Sequence, residues 1–118
     1  MADANIPRSI KEAVKVAVVT MTTTADKQRN IDTAFSMVRT AAAQGAAWVQ
    51  LPEMFPYMGT YDQVYNMAEV EGGPLYQALS NLARDLKIVL FAGSVGEAVD
   101  WATTSLRSNP SVRINNCV

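Results

Sequence analysis

Apolar residues along this chain fall into short β-branched blocks, and between the blocks they recur at helical spacing. Val14-Lys15-Val16-Ala17-Val18-Val19 is almost wholly apolar, the pattern of a strand covered on both faces, and predicts a first strand over 14–20. Ala46-Ala47-Trp48-Val49-Gln50-Leu51 predicts a second, which stops at Pro52 because proline cannot donate to a ladder. Ile88-Val89-Leu90-Phe91-Ala92-Gly93 predicts a third, after which Gly93, Ser94 and Gly96 loosen the chain. Between the first two blocks, Thr22 to Asp26 offers side-chain oxygens that cap a helix start. Ile31, Ala34, Phe35, Val38, Ala41 and Ala42 then form one apolar stripe, and Gly45 suits the helix end. Gly72-Gly73-Pro74 opens a second helix, with proline in the first turn where its missing amide costs nothing. Its stripe is Leu75, Ala78, Leu79, Leu82, Ala83 and Leu86. From Phe55 to Gly73 the pattern is mixed and reads mainly as a site-forming loop, with room for a short helix over 62–67.

The order strand, helix, strand, loop, helix, strand predicts an α/β fold with right-handed crossovers, three mainly parallel strands and two helices on one face. Residues 1–12 are polar, carry Pro7 and read as a flexible leader. Residues 13–100 form the domain, and 101–118, which lack sustained alternation or a helical stripe, read as an unstructured, divergent tail.

Composition narrows the chemistry. A chain of 118 residues with 49% hydrophobic content supports a single core. Ten Lys and Arg stand against eleven Asp and Glu, a formal charge of −1 with no block of like charge, so a nucleic-acid partner is not expected. There is no secretory leader pattern and no apolar run long enough for a membrane span. The lone cysteine, Cys117, fits a reducing, cytoplasmic setting. Histidine is absent, which removes Ser-His-Asp triads, Cys-His dyads and nearly every common zinc site. Carboxylates, lysine, tyrosine, hydroxyls and one thiol remain, with neither a metal nor an organic cofactor implied.

Glu53, in Leu51-Pro52-Glu53-Met54-Phe55, follows the predicted end of the second strand, and ligands of open α/β sheets bind beyond strand carboxyl ends. Position alone also describes a solvated or helix-capping glutamate. Tyr57 and Tyr61 follow closely and read either as pocket lining or as loop aromatics packed over the sheet. Glu97 reads as structural, bonding loop amides beneath the site, and Lys27 and Lys87 as solvated helix-end charges.

Four pieces in order, Thr22-Thr23-Thr24-Ala25-Asp26-Lys27-Gln28-Arg29-Asn30, Ala42-Ala43-Gln44-Gly45-Ala46, Leu51-Pro52-Glu53-Met54-Phe55 and Phe91-Ala92-Gly93-Ser94-Val95-Gly96-Glu97, resemble the opening third of nitrilase-superfamily carbon-nitrogen hydrolases. The Thr-rich turn is most similar to the branch holding ω-amidase and the amidase of deaminated glutathione. The resemblance covers about Val14 to Asp100. It implies part of an α-β-β-α sandwich and a Glu-Lys-Cys site that hydrolyses small carboxamides through a thioester, with Glu53 matching the base. The family's lysine and cysteine segments have no match here, and Cys117 lacks the glycine elbow of the family nucleophile. The chain is therefore expected to be inactive by itself. The family packs a second sheet on the face opposite the helices, so a bare apolar face and self-association, or association with full-length homologues, are also expected.

Overall fold

A computed structural model describes residues 13–99 and 111–116, with Val99 and 111–116 described by backbone alone. Three parallel strands, β1 (Val16–Val18), β2 (Trp48–Gln50) and β3 (Val89–Phe91), lie side by side in chain order. Val16 pairs with Trp48 and Trp48 with Val89, so β2 is central and the registers run straight across. Helix α1 (Lys27–Ala43) connects β1 to β2, and helix α3 (Pro74–Leu86) precedes β3. Two successive crossovers run in one direction, and the right-handed rule for such connections accounts for both helices packing on the same face.

The helices form where their stripes predict. Asp26 caps α1 by accepting the Arg29 amide at 3.1 Å, and Gly45 takes a left-handed φ of 94° just beyond the helix. Ala34 and Val38 of α1 and Leu75, Leu79 and Leu82 of α3 are buried against Val49 and Leu90. Because side chains alternate along a strand, Val16, Val18, Trp48 and Val89 point the other way and stay exposed, Val18 at 71%. The expectation of a first strand covered on both faces thus differs from the structure, which covers one face among the described residues. Trp48 and Phe91 meet edge to face on the open side, with centroids 6.0 Å apart.

Two further strands depart from expectation. Ser94–Val99 forms β4 instead of a loosened turn, and Ser111–Asn116 forms β5, antiparallel to it, within the segment read as an unstructured tail. Two glycines near β4 and only four alternating positions in Ser111-Val112-Arg113-Ile114 weaken the local strand signal; pairing with each other supplies what propensity does not. The leader at 1–12, residues 101–110 and Cys117 lie outside the described residues. A six-residue helix, α2 (Tyr61–Asn66), sits where room for one was expected.

Candidate active site

Glu53 stands three residues beyond the central strand, on a short bridge between two fully buried anchors, Leu51 and Phe55. It is itself exposed. The loops that follow β1 and β3 grip this bridge from both sides. From the first, Asn30 of α1, 1% exposed, donates through Nδ2 to the carbonyls of Thr24 at 2.7 Å and Pro56 at 3.0 Å. Asn30 Oδ1 in turn accepts from the Thr24 amide and hydroxyl, at 2.9 and 3.0 Å. The Met58 amide donates to the Thr24 carbonyl at 3.2 Å, which extends the tie past Glu53. A buried amide satisfied on both of its ends is a rigid connector, since breaking any one bond strands a polar group away from water.

From the second side, the Leu51 amide donates to the Phe91 carbonyl at 2.8 Å, and the Met54 amide donates to Ser94 Oγ at 2.9 Å. Met54 adopts a left-handed φ of 51°, unusual for a residue with a side chain. Gly93 packs so tightly that an added Cβ would lie 2.1 Å from the Pro52 carbonyl oxygen. Neither Asn30 nor Ser94 stood out from the sequence as a site residue. The available signal was a polar residue at position 30, one turn ahead of Ala34 and two ahead of Val38, on the face that α1 buries.

The tyrosines part company. Tyr57 is buried, donates its hydroxyl to Gln63 Oε1 at 2.9 Å, and lines a void of about 10 Å³, enough for roughly one water. Tyr61 is 83% exposed and lies against Tyr65, centroids 6.2 Å apart. Glu97, 2% exposed on β4, accepts the Tyr76 hydroxyl at 3.0 Å, a partner from α3 in addition to anything the loops provide. Burial of a carboxyl is costly unless such bonds compensate. Lys27 is not the solvated charge expected of it: its ammonium pairs with Glu69 and donates to the Met67 carbonyl at 2.9 Å. The pairing offsets a cation at a helix N-terminus, where the dipole disfavours it. That pair rims a cleft of about 430 Å³ between the starts of α1 and α3, away from Glu53.

Among the described residues Glu53 makes no ion pair, and no group of three or more His, Cys, Asp or Glu is placed to hold a metal. None of the described helices is long and apolar enough to cross a membrane.

Comparison with known proteins decides the family. The carbon-nitrogen hydrolase family profile matches residues 15–118. The chain belongs to the carbon-nitrogen hydrolase family. The matched span continues through residues 101–118, beyond the stretch on which the sequence resemblance rests. A hydrolase of Schizosaccharomyces pombe is 37% identical over 113 residues, which is 92% of this chain and 35% of the relative. The human deaminated glutathione amidase is 34% identical over 94% of this chain and 35% of its own length. Mouse omega-amidase is 40% identical over 70% of this chain and 30% of its own. Among solved structures, Saccharomyces cerevisiae Nit3, a member of branch 10 of the nitrilase superfamily, superposes with a TM-score of 0.63 at 31% identity, covering 71% of this chain and 34% of Nit3. The chain thus spans about a third of the length of the curated relatives it matches.

Proposed function

We propose that these residues supply the general-base portion of a carbon-nitrogen hydrolase site for small carboxamides, with Glu53 as the base. The observation that carries this is its placement: an exposed carboxylate just past the central parallel strand, braced from both neighbouring loops. In the proposed chemistry the carboxylate takes a thiol proton, and the thiolate attacks the amide carbon. A lysine ammonium stabilises the oxyanion of the tetrahedral intermediate. The protonated carboxylate returns its proton to the nitrogen as the C–N bond breaks, so that ammonia leaves and a thioester remains. The carboxylate then activates the water that hydrolyses the thioester to the acid and the free thiol. The thiol and ammonium belong to segments without a match in these 118 residues, so the chain by itself turns over no amide. Tyr61, open to solvent, faces incoming substrate in this scheme, and Tyr57 shapes the wall behind it. A reducing, cytoplasmic setting suits a reaction that runs on a thiolate.

Ammonia release from small ω-carboxamides tests the division of labour. The chain alone is expected to release none. A chimera in which it replaces the segment it matches in Saccharomyces cerevisiae Nit3 is expected to be active. Turnover by the isolated chain would overturn the proposal.

The uncovered sheet face favours a second role, association with itself or with longer homologues. Val16, Val18, Trp48 and Val89 leave an apolar surface without charge at its centre, and such surfaces promote contact with another chain. Light scattering on the purified chain tests it: a monomer at all concentrations that binds no apolar dye counts against association.

A further inference from the structure

Gly93 and Ser94 touch the two peptide groups that flank the Cα of Glu53. The carbonyl of Pro52 belongs to the peptide before Glu53, and Gly93 presses on it so closely that a Cβ would come within 2.1 Å of its oxygen. The amide of Met54 belongs to the peptide after Glu53, and it donates to Ser94 Oγ at 2.9 Å. Those two peptide planes set the φ and ψ of Glu53, and hence the direction in which its side chain leaves the backbone. Ser94 is 1% exposed and opens β4, so its hydroxyl is a fixed acceptor and not a mobile surface group. Met54 lies in the left-handed region, at φ 51°, a conformation a side-chain-bearing residue keeps only when its surroundings over-determine it.

We infer that Ser94 is the positioning residue of Glu53: its hydroxyl holds Met54 in the left-handed turn that aims the carboxylate. The inference rests on the assignment of Glu53 as base, which it deepens by naming what orients that base. Removing the hydroxyl releases the Met54 amide and lets the turn relax, while the sheet and its helices persist.

Isotope-labelled chain read by NMR tests this without catalysis. In S94A, hydrogen exchange at the Met54 amide is expected to quicken at least tenfold relative to that of Val49 in the central strand. The Cα and Cβ shifts of Met54 leave the left-handed range at the same time. S94T, which keeps the hydroxyl, restores both signatures. If S94A also releases Val49, S94C decides on the same ratio, because it keeps the side chain near its size and weakens the acceptor. Unchanged exchange and shifts at Met54 in S94A, or in S94C where that variant decides, would overturn the inference. These signals fail or hold independently of whether Glu53 proves to be the base, which only turnover reports.

Discussion

The two faces of the β1–β3 sheet are built from adjacent residues of the same short strands, yet among the described residues one is a core and the other is open. Val49 and Leu90 lie beneath α1 and α3, while Trp48 and Val89, one position away, stand in solvent. Composition separates them only slightly, since the open row is apolar apart from Gln50 on the central strand. Topology does: strands laid down in one direction, under the right-handed rule for crossovers, send α1 and α3 to one side, and the other side has no cover among the described residues. An apolar strand therefore reports that both faces are meant to be covered, not which segment covers them.

The contrast can be broken by substitution. Leu82→Ala, beneath the covered face, is expected to cost about 2–5 kcal/mol in denaturant unfolding, the range for a large buried aliphatic truncated to Ala. Val18→Thr, on the open face, is expected to change stability by no more than about 0.5 kcal/mol. Equal losses would mean that the open face is covered in solution. Gly93→Ala sharpens the same comparison at the sheet's end. The left-handed backbone, at φ 68°, costs about 1–3 kcal/mol with a side chain, and collision with the Pro52 carbonyl adds to it. Its thermal midpoint falls accordingly, and a midpoint matching the parent would show that the loop yields easily. Trp48→Ser is expected to lower dye binding and light scattering with little change in the unfolding midpoint. Lys27→Met removes one partly exposed ion pair and is expected to cost about 1 kcal/mol or less, diminishing with added salt.

Much of this fold was legible in the sequence because it is written in local periodicity. The stripe of α1 places Ala34 and Val38 inward, Pro74 opens α3, and Pro52 follows the end of β2 closely. What escaped is non-local. β4 and β5 exist through each other, and the ladder between Val95 and Asn115 joins residues too far apart for a window to see. The site divides the same way. Glu53 was legible from its place after an apolar block and from the resemblance around it, whereas Asn30 and Ser94 reveal themselves only once three loops come together. Lys27 looked solvated because its partners, the Met67 carbonyl and Glu69, lie forty residues and more along the chain, ahead of α3.

The assignment of Glu53 as base stands or falls on one substitution in the chimera with Nit3. E53Q keeps the size and exposure of the side chain and removes only its ability to accept a proton. Turnover of a small carboxamide is expected to fall by about 10²–10⁴, with the unfolding midpoint unchanged, the range for loss of a positioned general base. An E53Q chimera that releases ammonia as fast as its parent would contradict the account.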